Sequence, residues 1–344
     1  MSASDPIWDV LIIGAGMSGL SARRTFVEKG LSCLTLEKSR GLGGRVSTRR
    51  MDGICADLGA QFTSAKGRHW QGLIDSSRAE GLKPIFLNTD SQYPRYIHSQ
   101  GMSCLARILV LDPENLSAPI KRETTVSRIE FAASGVFWEV VDQTNQRYRA
   151  RALMVTLPVP QALELLKGFE LVSKLGFDES QLRRLDGLSY SRCLSAAYIL
   201  NEETSLDPPG ILKNPSAEIS GIFEQRKKGL NTSEPTVVVQ AAAALSLELW
   251  ENPSETLLEI LWKKASAATQ GSLLPKEYKL AWMQKWKYCE PLQHLHTNFE
   301  KVLTHVAAPL VLAGDAFGGS KIEGAIVSGR EAALEIINAL TGVE

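Results

Sequence analysis

The stretch Trp8-Asp9-Val10-Leu11-Ile12-Ile13 runs directly into Gly14-Ala15-Gly16-Met17-Ser18-Gly19, and this junction constrains the chain more than any other. The first six residues are mostly apolar and branched, which predicts a strand buried on both faces. Leu20 to Lys29 predicts a helix closed by Gly30 at a left-handed cap, and Leu31 to Leu36 predicts a second strand ending at Glu37. In a G-x-G-x-x-G turn, Gly14 permits the tight bend, Gly16 admits a diphosphate to the backbone, and Gly19 lets helix and strand pack closely. The helix start, with Met17 and Ser18 beside it, directs N–H groups and the positive dipole end at that diphosphate. Glu37 lies 23 residues after Gly14, where a carboxylate accepts hydrogen bonds from a ribose hydroxyl pair. A glycine turn between strand and helix is common by itself. Strand, glycines, helix, second strand and acid in this order point to a dinucleotide site. The acid favours an unphosphorylated ribose, either that of NAD or that of the adenosine in FAD, without choosing between them.

Composition narrows the classes of partner. The chain has 344 residues, a length that suggests two domains, whether consecutive or interleaved; 44% hydrophobic and 22% charged residues exclude wholesale disorder. Thirty-eight basic residues balance thirty-eight acidic ones, which argues against bulk nucleic acid or an acidic membrane surface as the main partner. No apolar run approaches the roughly 20 residues of a membrane span. Met1 to Val10 holds Asp5, Pro6 and Asp9 and no basic residue, unlike a signal peptide. Cysteines 33, 55, 104, 193 and 289 are scattered without metal or redox spacing, so a reducing cytoplasm is the simplest compartment. Of the histidines at 69, 98, 294, 296 and 305, the His294/His296 pair lacks an acidic or cysteine partner nearby and reads as surface, so no metal is expected.

The choice of dinucleotide turns on the residues after Glu37. Lys38-Ser39-Arg40-Gly41-Leu42-Gly43-Gly44-Arg45 is a glycine-rich loop ending in a guanidinium suited to an anionic group. Residues 38–50 carry five positive charges and no acid; Arg49 and Arg50 alone fit a solvated loop, the Gly43-Gly44-Arg45 triplet less well. Another glycine turn lies at Asp57-Leu58-Gly59-Ala60-Gln61-Phe62. Together with Thr156-Leu157-Pro158-Val159-Pro160, Tyr190-Ser191-Arg192, Gln284-Lys285-Trp286 and Leu312-Ala313-Gly314-Asp315-Ala316-Phe317-Gly318-Gly319 with Glu323-Gly324-Ala325, these motifs resemble the flavin amine oxidase superfamily. Within it the chain is most similar to the renalases and their bacterial relatives, over almost its whole length and in family order.

That resemblance implies an α/β fold: a Rossmann-type FAD-binding domain of the p-hydroxybenzoate hydroxylase and amine oxidase kind, with an inserted α+β substrate domain. It divides the chain into a discontinuous FAD-binding domain, residues 1–78, 99–165 and 291–344, and a substrate domain, residues 79–98 and 166–290. Pro309 to Ala313 independently predicts a buried strand and Glu323 to Leu340 a helix, in which Gly324, Ala325, Ser328, Gly329, Ala332 and Ala333 allow close approach. Strands are expected at Thr124–Phe131, Val136–Val141, Arg147–Leu157, Ser191–Leu200, Glu218–Phe223 and Thr236–Ala242, with an amphipathic helix at Glu255–Ala268. Leu280 to Tyr288 is expected to return the chain to the FAD domain. Arg183-Arg184 and Lys227-Lys228 read most simply as solvated, with Lys227-Lys228 meeting an anionic substrate tail as the alternative.

For the cofactor, noncovalent FAD, the resemblance implies contacts from Gly14, Gly16, Met17, Ser18, Gly19, Glu37, Lys38, Gly44, Arg45, Ala60, Gln61, Phe62, Val126, Asp315, Glu323, Gly324 and Ala325. Val126 would meet the adenine, Asp315 the ribityl and diphosphate region, and the last helix the pyrimidine end of the ring, where its positive dipole end favours negative charge. Phe62 and Trp286 would flank the substrate, with Gln240 where some relatives carry histidine, and His98, Gln100 and Gly101 bordering it. No catalytic side chain is assigned, because the flavin carries the chemistry. An amine must lose a proton before it yields a hydride, whereas a dihydropyridine aromatises directly, and no acid/base pair is evident. The implied reaction is oxidation of the 2- and 6-dihydro isomers of NAD(P), with O2 reoxidising the flavin to give H2O2, a metabolite repair. Alternatives are an amine oxidase, a lipid desaturase, disfavoured by the missing apolar helix, and a non-catalytic FAD-binding partner protein.

Overall fold

The computed structural model describes residues 6–77, 81–85, 93–110, 115–132, 136–167, 179–302, 308–319 and 321–342. His305 and residues 112–114 of the loop expected near Asp112 lie outside the described residues. The chain forms two compact units: residues 1–44, 106–189 and 291–344, and residues 45–105 and 190–290.

The first unit is built on a largely parallel sheet. Its path runs Glu300–Val302, Leu310–Leu312, Arg147–Val155, Ile7–Ile13, Cys33–Leu36, Ile120–Lys121. All neighbours along it are parallel except the first pair. A hairpin of Val126–Phe131 and Trp138–Asp142 adds to Arg147–Val155 in antiparallel fashion. Strands covered on both faces carry near-continuous apolar runs, and Val10 to Ile13 are all buried. The helices Met17–Glu28 and Lys321–Thr341 cover one face, where Phe26, Ala332, Ala333 and Ile336 pack against Val10, Ile12, Met154 and Val311.

The two helices approach closely because small residues meet. A Cβ on Gly329 would stand 2.0 Å from the Ser18 carbonyl oxygen. The Ser21 hydroxyl donates to the Ile326 carbonyl at 2.8 Å. The small-residue row expected in the last helix thus serves helix–helix packing at Gly329, while its first turn faces the end of the sheet.

The second unit is an antiparallel sheet in the order Ile211–Lys213, Ile219–Glu224, Thr236–Ala241, Cys193–Ile199, Leu280–Trp286. One face packs on the helix Ser254–Ala268 through Leu257, Leu261 and Trp262, and the Tyr198 hydroxyl donates to the Leu258 carbonyl at 2.7 Å. The other face, with Ala197, Val238 and Trp282, packs on Ala56 and Leu58. Alternation of side chains along the strands produces this division. Leu280–Trp286 is the edge strand here, paired with Cys193–Ile199, and the chain re-enters the first unit at Pro291.

Two features carried no clear sequence signal: the hairpin Thr48–Met51/Ile54–Asp57, and a small sheet of Thr63–Ser64, Arg95–His98 and Leu82–Ile85. Because the hairpin packs on the second sheet, compactness groups residues 45–77 with the second unit, a partition distinct from the expected cofactor and substrate division.

Gly329→Ala should cost about 1–3 kcal/mol in urea unfolding, the usual penalty of overpacking against fixed backbone. Gly72→Ala, in the helix Arg68–Ser76 where a Cβ meets nothing, should instead be neutral or stabilising by up to about 1 kcal/mol.

Candidate functional site

In the first unit, the strand ends converge. Ile13 pairs with Leu36 and with Val155, and Val155 with Leu312, so Gly14, Glu37, Thr156 and Gly314 follow at one edge. Crevices beyond the carboxyl ends of parallel strands are where such sheets take ligands. Gly14 has φ +104°, and a Cβ there would lie 2.8 Å from Thr156 Oγ1. A Cβ on Gly19 would sit 2.0 Å from the Gly14 oxygen, so this glycine is required by packing. Gly16 differs: a Cβ there meets nothing within 4 Å. Its backbone borders open space at the N-terminus of a twelve-residue helix that no side chain caps. Met17 and Ser18 open that helix, and the buried Ser18 Oγ has no hydrogen-bond partner among the described residues. Uncapped N–H groups, an orphan hydroxyl and a glycine facing space fit a diphosphate.

The second glycine loop joins this turn. Gly43 N donates to the Ala15 carbonyl at 2.8 Å, and a Cβ on Gly44 would come within 3.4 Å of Gly16 Cα. Glu37 is almost fully buried and ties the same turn down: Oε2 accepts from Ala15 N and Oε1 from Ser39 N, each at 2.8 Å. Carboxylate oxygens have further lone pairs, so this anchoring leaves acceptor capacity for hydroxyls. The Thr124 amide donates to the Glu37 carbonyl at 2.9 Å, which brings the start of the Val126 strand alongside, while Lys38 is exposed on the loop. At the same edge Gly314 N donates to Ser328 Oγ at 2.9 Å, and buried Asp315 comes next. Glu323, Gly324 and Ala325 form the first turn of the last helix; a Cβ on Gly324 would lie 1.8 Å from the Gly319 oxygen. His294 is exposed, its Nδ1 3.2 Å from the Asp315 carbonyl.

In the second unit Ala60, Gln61 and Phe62 lie on the loop Asp57 to Phe62, which Trp286, Gln240 and Arg45 also meet. Trp286 Nε1 donates to the Leu58 carbonyl at 2.8 Å, and Gln240 Nε2 donates to the Gly59 carbonyl at 2.8 Å. Gln61 Nε2 donates to the Gly59 carbonyl at 3.1 Å and to the Asp57 carbonyl. Ala60 N donates to the Arg45 carbonyl at 2.9 Å, and Gly59 lies so close that a Cβ would stand 1.9 Å from the same oxygen. Arg45 Nη1 donates to the Cys289 carbonyl at 3.0 Å, and its guanidinium lies 5.9 Å from the Tyr190 ring centre. His98 is buried, its Nδ1 accepting from Gln100 N at 3.0 Å. Gly101, with φ +93°, packs where a Cβ would lie 2.4 Å from the Thr48 methyl.

Beneath the loop lies an ion pair that the sequence did not reveal. Lys228 is fully buried; its Nζ donates to Asp57 Oδ2 at 2.9 Å and to Gln61 Oε1 at 2.7 Å. Asp57 Oδ1 also accepts from Thr48 Oγ1 at 2.6 Å and from Met102 N at 2.8 Å. Burial pushes the Lys228 ammonium below the ordinary lysine range, and Asp57 opposes that shift. Lys227 Nζ donates to the Thr204 and Leu206 carbonyls, both at 2.7 Å. The expectation that Lys227-Lys228 is a solvated face, or meets a substrate tail, is therefore corrected: both amines are spent inside the protein. The one-turn helix Gln225–Lys228 causes this, capped by Glu224 at its start and by Gly229 in the left-handed region at its end. Consecutive lysines on so short a helix look solvent-bound until tertiary packing turns one inward.

Cations also cover the aromatic faces of this unit. Phe62 has the Arg95 guanidinium 5.0 Å and the Lys213 ammonium 5.2 Å from its ring centre. Arg49 stands 4.7 Å from the Trp282 ring and Arg192 4.7 Å from that of Trp250.

A model of an NAD(P)-binding Rossmann-like domain matches residues 12–76, and one of the flavin containing amine oxidoreductases matches residues 68–337. The chain belongs to the flavin-containing amine oxidoreductase family. This oxidoreductase is 23% identical to renalase of Mus musculus over 339 residues, covering 93% of this chain and 96% of the mouse protein. It is also 36% identical to putrescine oxidase of Kocuria rosea over 67 residues, 20% of this chain and 14% of that one. The structure is similar to that of cyclohexylamine oxidase from Brevibacterium oxydans, with a TM-score of 0.70 and 12% identity over 98% of this chain and 100% of that one. These structural similarities show the shared fold. The family makes the protein an FAD-dependent oxidoreductase, and noncovalent FAD is typical of it. No helix among the described residues is long and apolar enough to cross a membrane.

Lys228→Met should destabilise this oxidoreductase by about 3–5 kcal/mol, because Asp57 would be left buried without its cation. Adding Asp57→Asn should recover part of that loss, read as a coupling energy in a double-mutant unfolding cycle.

Proposed function

We propose that this flavoenzyme oxidises the 2- and 6-dihydro isomers of NAD(P) to NAD(P)+, the renalase-like reading, and works as a metabolite-repair oxidase in a reducing cytoplasm. The observation that carries the reading is positive charge at Phe62: two cations already occupy the surroundings of the ring assigned to the substrate. An amine arrives as an ammonium ion, which two nearby cations repel, whereas a dinucleotide is anionic. The state of the titratable groups supports the same reading. Among the described residues around the Asp57–Phe62 loop, Asp57 is paired with Lys228, His98 Nδ1 accepts from Gln100, and Gln240 does not titrate. A substrate that aromatises on losing hydride needs no base; an ammonium does.

The assignments for the cofactor rest on fit. Met17 and Ser18 open an uncapped helix and Gly16 leaves open backbone for the diphosphate, with Gly14 and Gly19 shaping the turn; Glu37 offers lone pairs to ribose hydroxyls, with Lys38 and Val126 beside it. In the first unit Gly44 closes the second glycine loop, and Asp315, Glu323, Gly324 and Ala325 stand at the end of the last strand and the start of the last helix; in the second unit the family resemblance assigns Arg45, Ala60, Gln61 and Phe62 to the cofactor. Bound FAD supplies the hydride acceptor, with O2 as terminal oxidant giving H2O2. Trp286, Gln240 and Gln61 hold the Asp57–Phe62 loop by its carbonyls, so their part in substrate binding is to fix the ring of Phe62 and the neighbouring backbone. Gln100 and Gly101 border the same region through Thr48 and His98. Thiols at positions 33, 55, 104, 193 and 289, none in a disulfide, suit a reducing compartment.

Anaerobic addition of 2- or 6-dihydro-NAD(P) should bleach the flavin absorbance within seconds. Bleaching by primary or secondary amines, with no response to either isomer, would replace this reading with amine oxidation. Gly16→Val should cost the apoprotein no more than about 2 kcal/mol in unfolding, the loss of a favoured N-cap residue, since a Cβ there meets no protein atom within 4 Å, yet weaken FAD retention at least tenfold by equilibrium dialysis.

A further inference from the structure

We propose that Cys193 and Cys289 form a redox pair, a modification site at which a peroxide joins the two thiols in a reversible disulfide. Their spacing along the chain gives no hint of it; the second sheet brings them together. Cys193 opens the strand Cys193–Ile199 and stands opposite Trp286, the last residue of the edge strand Leu280–Trp286. Past Trp286 the regular ladder stops, and Lys287 and Tyr288 form a turn. Cys289 then rejoins the neighbouring chain: its N–H donates to the Ser191 carbonyl at 2.9 Å, and Ser191 N donates to the Glu290 carbonyl at 2.8 Å. Unbroken register would set Tyr288 opposite Ser191; the turn sets Cys289 there instead. Extra residues in one strand re-aim the side chains that follow. Here the Cys193 side chain is hydrogen-bonded to that of Cys289.

The two thiols differ as a peroxide-sensitive pair requires. Cys193 is buried, its Sγ 3.7 Å from the Leu194 carbonyl and 3.9 Å from that of Ala241, whereas Cys289 is partly exposed. The hydrogen bond to Cys289 and burial together hold the Cys193 thiol well above the ordinary cysteine range, so Cys193 keeps its proton. Attack on peroxide therefore falls to Cys289, the sulfur that solvent reaches. Its thiolate takes one peroxide oxygen: an S–O bond forms, the O–O bond breaks, and the departing hydroxide takes up the proton that Cys289 shed. The Cys193 sulfur then attacks the sulfenic sulfur. The S–S bond forms, the S–O bond breaks, and the Cys193 proton leaves with the hydroxide as a second water. Two thiols lose two electrons, and one peroxide becomes two waters. Cys55 and Cys104 also share a neighbour, the Gln100 carbonyl oxygen at 3.6 and 3.8 Å, but both are buried and offer no exposed sulfur. The Cys193–Cys289 site adjoins the Asp57–Phe62 loop: the Cys289 carbonyl accepts from Arg45 Nη1 at 3.0 Å, and Trp286 donates to the Leu58 carbonyl. A transient disulfide of this kind suits a reducing compartment, where thiols return between oxidations. Flavin reoxidation by O2 releases peroxide, yet peroxide from any source serves, so the pair does not depend on which substrate reduces the flavin.

The test is to expose the FAD-loaded protein to hydrogen peroxide in small molar excess, then to measure its intact mass and map its peptides without reduction. The mass should fall by about 2 Da, the two hydrogens lost in forming one disulfide. Of the five thiols, two should no longer titrate under denaturing conditions. One peptide pair should join Cys193 to Cys289, and dithiothreitol should restore both thiols. Cys289→Ser should abolish the cross-link. Cys193→Ala should stop oxidation at the sulfenic acid of Cys289, which dimedone traps. Since Cys193 is buried and its variant can fail to fold, the peptide map of the unaltered protein decides the matter by itself. A cross-link joining Cys55 to Cys104 or joining two molecules, sulfinic acid at Cys289 with no disulfide, or five intact thiols would overturn the proposal. Because the peroxide is added, a flavin that no dihydropyridine reduces would refute the oxidase reading and leave the cross-link to stand or fall separately.

Discussion

Ile13 hydrogen-bonds into register with Leu36 on one side and Val155 on the other, and Val155 with Leu312, so four chain segments leave the first sheet at one edge. Parallel strands impose this: each must begin again from the far end, and every exit falls on the same side. Glycines concentrate at that edge because the backbone there must bend sharply, as at Gly14, or leave room, as at Gly16. Glu37 then joins the exits to one another by accepting from the Ala15 and Ser39 amides. A segment from near the N-terminus and another from near the C-terminus meet only because the sheet places them side by side.

The second unit solves a different problem. Its loop continues from the strand Ile54–Asp57 through Leu58 to Phe62 beyond the hairpin ladder, so the loop carbonyls take donors from elsewhere. Trp286, Gln240 and Gln61 supply them, and Lys228 secures the loop from beneath through Asp57 and Gln61. Removing the loop's conformational freedom in this way makes a defined surface out of an irregular segment. In the same unit Arg95 and Lys213 lie against the Phe62 ring and Arg49 against that of Trp282.

Much of the first unit was legible from residue order alone. A strand, a G-x-G-x-x-G turn, a helix and an acid are local features with local causes, and the helix begins at Met17, three residues earlier than apolar periodicity suggested, because a glycine turn can lead directly into it. The central strands of the second sheet were legible for a similar reason, since their apolar alternation is strong. The hairpin Thr48–Met51/Ile54–Asp57 was not: Thr48, Arg49 and Arg50 are polar, and the strand is held by its partner and by packing of Ala56. Leu280 to Tyr288 is expected from sequence only to lead the chain back to the FAD domain; it forms the edge strand Leu280–Trp286, and nothing in a strand's own sequence says which sheet edge it will join.

The sequence by itself determined the dinucleotide-binding turn, the acid that anchors it, and the family, because these are set by short-range geometry and by motifs kept in order along the chain. Only the tertiary structure decided the fate of the charged side chains. Lys228, in a run of basic residues, became the buried partner of Asp57, 171 residues away. Arg95 and Lys213 came to share one phenylalanine ring. The reason is that a long cationic side chain costs little to place anywhere on a surface and much to bury. Where it ends up depends on which acceptor or ring the fold brings within reach.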